Sequence, residues 1–253
     1  MNTIDLSGRT ALITGGGSGI GLATARQMLV SGARVELWGR DADRLKAAAV
    51  ELATPERVSI QSVNVGDPAA VQAAAADTLQ RLGQVDILVN NAGVTPGMVP
   101  MLEVTLEDWR ENFAVNLDGI FFTCRAFVPG MVSRGWGRVI NIGSQAGKEG
   151  NPYQIAYSTA KAGVVGFTKS LAKELATTGV LVNGVSPTLF ETPLLAWARR
   201  ENPQAMQAAL EKIPMRRIGR PEEAAALITW IASDQCTFTT GFTFDCTGGR
   251  GTY

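Results

Sequence analysis

Arg9-Thr-Ala-Leu-Ile-Thr-Gly-Gly-Gly-Ser-Gly-Ile-Gly21 passes from an apolar run of strand length into a glycine-rich turn. Leu22-Ala-Thr-Ala-Arg-Gln-Met-Leu-Val30 follows it and reads as a helix ending near Ser31-Gly32. A bare glycine cluster marks no more than a flexible turn. Set between a strand and a helix, it means more: small residues let the backbone approach a pyrophosphate, and the N–H groups at the helix start offer donors and a favourable dipole.

Outward from this unit, strand and helix patterns alternate. Strand-like runs cover residues 33–38, 57–64, 85–89, 138–143, 180–186 and 240–245. Between them, Asp67-Pro68 opens an alanine-rich helix to about Leu82, as an N-cap followed by proline at the first helical position. Thr105-Leu-Glu-Asp108 is a helix start of capping-box type, and its helix runs through Asn112, Asn116 and Cys124 to about Ser133. This alternation predicts an α/β fold: a doubly wound, Rossmann-type parallel sheet of about seven strands with helices on both faces. Without a repeat or linker, residues 1–253 read as one dinucleotide-binding and catalytic domain. The proline-rich segment around 188–215 reads as a substrate lid.

Composition narrows the function. Lys plus Arg and Asp plus Glu both count 23, which gives no reason to expect nucleic acid or an anionic membrane as partner. No apolar run is long enough to span a bilayer and the N-terminal residues lack signal-peptide blocks, so a cytoplasmic protein is expected. Three cysteines without Cys-x-x-Cys spacing suggest neither disulfides nor zinc. Histidine is absent, which removes Ser-His-Asp and Cys-His nucleophile schemes and the commonest metal ligand; no metal is expected. Acid–base work must fall to Tyr, Lys, Asp or Glu.

Ser144-Gln-Ala-Gly-Lys-Glu-Gly-Asn-Pro-Tyr-Gln-Ile-Ala-Tyr-Ser-Thr-Ala-Lys161 supplies such a group. Tyr157 and Lys161 are four apart, on one face of a helix. An ammonium that close favours the phenolate and is expected to lower a phenol pKa of about 10. Ser144, at the end of a strand, has a hydroxyl for the same reacting oxygen. At the end of the second strand, dinucleotide-binding folds place an acid on the adenosine ribose for NAD, or an arginine for the 2′-phosphate of NADP. Gly39 takes the acid's place and Arg40 follows, which favours NADP; Arg40 packed on an adenine would also serve NAD, the alternative cofactor.

The ordered set Thr14-Gly-Gly-Gly-Ser-Gly-Ile-Gly21, Asn90-Asn-Ala-Gly93, Asn116, Ser144, Tyr157 and Lys161 resembles the single-domain branch of the short-chain dehydrogenase/reductase family, from about Ser7 to the C-terminus. The resemblance implies roles. Tyr157 would be general acid in reduction and base in oxidation. Lys161 would lower its pKa and hold the nicotinamide ribose, Ser144 would orient the substrate oxygen, and Asn116 would anchor a water. Gly15, Ser18, Ile20 and Gly21 would line the pyrophosphate, Asn90, Ala92 and Gly93 the adenosine side, and Asn64 with Val65 the adenine. Pro187 and Thr192 would grip the nicotinamide amide. Thr188 departs from the family's glycine after that proline, and Asn64 from its usual aspartate. A homotetramer is implied as well.

The expected activity is interconversion of a secondary alcohol and a ketone by hydride transfer with NAD(P), on a small-molecule substrate. A 3-oxoacyl-type carbonyl reductase using NADPH and a sugar-acid or polyol dehydrogenase using NAD both remain open. Gln145, Lys148, Phe190 and Trp197 are the candidate substrate contacts: Lys148 for a carboxylate, Phe190 and Trp197 (with Leu194 and Leu195) for an apolar lid. The Arg250 tail resembles members acting on small hydroxylated acids. A non-catalytic dinucleotide-binding regulator on the same fold is the non-enzymatic alternative.

Overall fold

The computed structural model describes residues 3–96, 98–201 and 203–251, and of residues 194, 197, 198, 201 and 205 the backbone alone. Seven strands form one parallel sheet in the order β3-β2-β1-β4-β5-β6-β7. They are β1 (Thr10–Thr14), β2 (Arg34–Gly39), β3 (Val58–Ser62), β4 (Ile87–Asn90), β5 (Gly137–Ile142), β6 (Val180–Pro187) and β7 (Thr243–Cys246). The order reverses between β1 and β4, and the crevice outside the strands' carboxyl ends at such a switch point is where these sheets bind ligands.

Helices cover both faces, as the strand chemistry requires: β1, β4 and β5 are buried along their whole length. Ile13, Val35 and Ile140 face one core with Met28 of α1 (Gly19–Val30) and Ile228 of α10 (Pro221–Ile231). Leu12, Leu88 and Val139 face the other, with Phe127 of α5 (Gly119–Arg134) and Val164 of α7 (Ile155–Leu175). Successive strand residues thus feed opposite cores, and each fully buried aliphatic side chain contributes about 1.5–3 kcal/mol. Local signals set the helix starts. Asp41 caps α2 (Ala42–Leu52) through the Arg44 N–H, and Asp67 caps α3 (Pro68–Leu82) through Ala69 and Ala70.

The helix expected from Thr105 to Ser133 differs. Thr105 does cap its start by accepting from the Asp108 N–H, but the helix it opens, α4 (Leu106–Phe113), is short, and a π-turn, Ala114–Asp118, separates it from α5. Asn116, fully buried in that turn, is held by the loop after β4. It accepts from the Val94 N–H at 3.2 Å and donates to the Val94 carbonyl at 2.9 Å. Those bonds satisfy a buried amide that a regular helix would strand, and single π-turns of this kind collect at functional sites. After β5 come the short α6 (Gln145–Glu149) and α7; after β6, α8 (Pro193–Glu201) and α9 (Pro203–Glu211) lie within the proline-rich segment. Among the described residues no helix is long and apolar enough to cross a membrane, and no group of His, Cys, Asp or Glu is built to hold a metal ion.

Candidate active site

A cleft of about 960 Å³ runs along the carboxyl ends of the strands. Gly15, Ser18 and Ile20 from the glycine-rich turn line it, with Arg40 after β2, Asn64 and Val65 after β3, and Ala92 and Gly93 after β4. Ser144, Gln145, Tyr157, Lys161, Pro187, Phe190 and Thr192 complete its other half.

The turn is tight because backbone, not side chains, fills it. A Cβ on Gly21 would sit 2.4 Å from the Gly15 carbonyl oxygen, so Gly21 is a buried packing residue behind the cleft rather than a lining one. Gly15 has φ +65°, and a Cβ there would meet Asn91 at 2.9 Å. Ser18 stands at the N-cap of α1 without a side-chain cap bond and no acid occupies the first turn, which leaves the early N–H groups for an anion. Backbone donors at a helix start, in a cradle that tolerates no side chain, fit the pyrophosphate of a dinucleotide. Thr192 packs on this turn: a Cβ on Gly19 would lie 2.9 Å from its methyl group.

Asn90 is a correction. Expected on the adenosine side, it is turned into the second core, where it donates to Asn141 at 2.9 Å and accepts from Thr123 at 2.7 Å. Its neighbour Asn91, missed in the sequence, faces the cleft and pins the turn by donating to the Thr14 and Gly15 carbonyls at 3.0 and 3.2 Å. Consecutive residues at a strand end point to opposite sides, so one step of register exchanges the roles. Asn116 likewise does not line the cleft; its side-chain amide holds Val94 and Asn112. Lys148, read as a carboxylate contact, is already paired with Asp245 at 2.8 Å and faces away from the cleft. Phe190 packs inward, 5% exposed, against Gly219, where a Cβ would come within 2.7 Å of its ring. The side chains of Leu194 and Trp197 lie outside the described residues.

α6 and α7 bring the polar groups together. Ser144 is the N-cap of α6, its hydroxyl accepting from the Ala146 N–H at 3.1 Å. Gly147 lets α6 pass against the Lys161 backbone, where a Cβ would be 2.5 Å from the Lys161 carbonyl carbon. Lys161 is 3% exposed; its ammonium donates to the Ile142 carbonyl at 2.8 Å and lies 5.9 Å from the centre of the Tyr157 ring. Burial raises the Tyr157 phenol above its ordinary value, and a hydrogen bond with Ser144 acts the other way. Burial also draws Lys161 down to about 8. The contact that lowers the phenol against this burial is the Ser144 hydroxyl.

At the far end, Arg40 reaches Glu111 at 3.3 Å with more than half of its side chain exposed, and Arg44 and Asp41 line the cleft beside it. Tyr153, also unanticipated, lines the opposite mouth with φ +64°, a left-handed conformation uncommon for an aromatic residue.

A Rossmann-type sheet, a glycine turn at its switch point and a Ser–Tyr–Lys cluster in one cleft define a nicotinamide-dependent oxidoreductase. The family model for short chain dehydrogenase matches residues 9–203. The chain is 44% identical to a 2-dehydro-3-deoxy-L-rhamnonate dehydrogenase (NAD(+)) of Sphingomonas sp., over 98% of this chain and 97% of that one. It is 39% identical to a 3-oxoacyl-(acyl-carrier-protein) reductase of Aquifex aeolicus, over 97% and 98%. A crystal structure of an actinorhodin polyketide ketoreductase variant with NADPH superposes with a TM-score of 0.92 at 34% identity, covering 97% of this chain and 98% of that one. The chain belongs to the short-chain dehydrogenase/reductase family. Within it, it is of the 3-oxoacyl reductase and sugar-acid dehydrogenase type, an NAD(P)-dependent enzyme that interconverts a secondary alcohol and a ketone.

Proposed function

We propose that the enzyme uses NADP(H) and that Tyr157 is its general acid and base. The observation that carries the reading is the meeting of Ser144, Tyr157 and Lys161 with the glycine turn in a single cleft. The bound nicotinamide supplies or accepts the hydride. Tyr157 gives a proton to the developing alkoxide in reduction and takes one from the alcohol in oxidation. Ser144, hydrogen-bonded to Tyr157, steadies the same oxygen, and holding both reactants in one cleft removes much of the entropic barrier. Lys161, anchored on Ile142, is placed to hold the nicotinamide ribose. The chain works as one domain, with residues 188–215 as a lid tied to the glycine turn through Thr192.

Arg40 and Arg44 beside the cleft, and Gly39 in place of a carboxylate, support NADP over NAD. Asp41, which lines that end, is engaged by the Arg44 N–H as the cap of α2, and Glu111 by Arg40 itself. NAD is the second reading, favoured by the name of the Sphingomonas relative. Exposed Leu106, Trp109, Phe121 and Ile155 on α4, α5 and α7, with Phe242 before β7, support a homotetramer.

The test is a matrix of initial rates: NADP(H) and NAD(H) against 3-oxoesters, diketones, polyols and sugar acids. Arg40→Ala is expected to raise the NADPH Michaelis constant about tenfold or more and the NADH constant less than about twofold, because only NADPH carries the phosphate that a guanidinium pairs. Equal effects on both cofactors would remove the NADP assignment.

A further inference from the structure

The substrate end of the cleft holds a group of donors that the hydride and proton chemistry leaves unused. Among the described residues, the charged side chains lining that end are Lys212 and Arg250, and no carboxylate lines it. Arg250, only 7% exposed, is fixed in place. Its Nε and Nη2 donate to one Glu149 oxygen at 3.1 and 2.8 Å, Nη2 also to Asn151 at 3.2 Å, and Nη1 to the Thr188 hydroxyl at 3.3 Å. These four bonds leave one of its five N–H groups, on Nη1, unspent.

The Thr188 hydroxyl accepts that bond and, among the described residues, donates none, so its proton is free beside the spare N–H. Glu149 stays off the cleft wall, its other oxygen taken by Gln145 at 2.6 Å. Two crossed ion pairs, Glu149–Arg250 and Lys148–Asp245, bind the C-terminal stretch to α6 and keep this arrangement rigid. Lys212, just beyond α9, and Arg250 both act on the single carboxylate of Glu149, so two cations face one anion and this end of the cleft keeps net positive charge. Two neighbouring donors, with a second cation lining the same end of the cleft, match the two oxygens and the charge of a carboxylate.

We propose that Arg250, Thr188 and Lys212 form a carboxylate subsite, so that the alcohol or ketone turned over is that of a small hydroxylated acid. The inference rests on the oxidoreductase reading of the cleft. It also gives a purpose to Thr188, which stands where the family resemblance calls for glycine: glycine has no hydroxyl to offer.

The test compares gluconate, galactonate and 3-hydroxybutyrate, each with its primary amide, as substrates of the wild type and of Lys212→Ala, Thr188→Gly and Arg250→Gln. The wild type is expected to prefer an acid over its amide by about tenfold or more in kcat/KM, expressed in KM and weakening with salt. Arg250→Gln is expected to bring that ratio to near one, and each of the other two to lower it by roughly threefold to fivefold. Arg250 also braces α6, so Lys212→Ala and Thr188→Gly decide the matter if Arg250→Gln does not fold. A wild type that favours the amides, a ratio unmoved in Lys212→Ala and Thr188→Gly, or turnover of uncharged ketones alone overturns the subsite and leaves the oxidoreductase standing. No turnover of any alcohol or ketone overturns the reading beneath it as well.

Discussion

Tyr157→Phe is expected to lower kcat about a thousandfold, while the dissociation constant for NADPH stays within about twofold; general acid–base catalysis contributes about 10²–10⁴. The substitution removes one oxygen and leaves the ring that packs near Lys161, so the cleft keeps its shape. What is lost is the one titrating hydroxyl hydrogen-bonded to Ser144. With no histidine in the chain, no imidazole can take over. Lys161 is held by the Ile142 carbonyl and cannot swing to the reacting oxygen without leaving a buried acceptor unpaired. Steady-state rates and a fluorescence titration with NADPH check the two halves of the prediction. Full turnover with intact cofactor binding would remove Tyr157 from the acid–base role, and a wild type that binds NADPH but turns over no alcohol or ketone would favour the non-catalytic regulator.

Gly147→Ala, at a residue that does not line the cleft, is expected to be nearly as damaging. The new methyl would lie 2.5 Å from the Lys161 carbonyl carbon, 2.7 Å from its oxygen and 2.8 Å from the Ala162 nitrogen. All three are backbone atoms, so no side chain can swing aside and α6 must lift from α7. Overpacking of this kind costs about 1–3 kcal/mol, a drop of roughly 2–12 °C in melting temperature for a chain of this size. Because α6 begins at Ser144 and α7 carries Tyr157, the lift separates the two hydroxyls. A displacement near 1 Å costs about a hundredfold in rate. Thermal melting and kcat measured together check this; a variant with wild-type stability and rate would show that the contact between α6 and α7 does not set the site.

The sheet was legible in the sequence because its signals are local: apolar runs bounded by glycine, Asp67-Pro68, and the Thr105 cap. The cluster of Ser144, Tyr157 and Lys161 was legible too, since strand end and helical spacing put all three near one point. What escaped is set by contacts distant in the chain. The π-turn at Ala114–Asp118 exists because Asn116 bonds Val94, 22 residues away, while the local sequence reads as unbroken helix. Lys148 and Glu149 look like solvated neighbours until Asp245 and Arg250 arrive, 97 and 101 residues later. The reversal of Asn90 and Asn91 turns on one residue of register. The direction of the Tyr157 shift is a matter of burial, which spacing on a helix does not reveal.

The most direct test of the central claim is reduction of a ketone substrate by wild-type enzyme with NADPH dideuterated at nicotinamide C4, run in ordinary water, with the product analysed by mass spectrometry and NMR. The account predicts one deuterium on the new carbinol carbon. Run instead with unlabelled NADPH in heavy water, the reaction should leave that carbon free of label, because the proton from Tyr157 goes to oxygen. A product without deuterium in the first experiment, or with solvent deuterium on that carbon in the second, would contradict hydride transfer in this cleft.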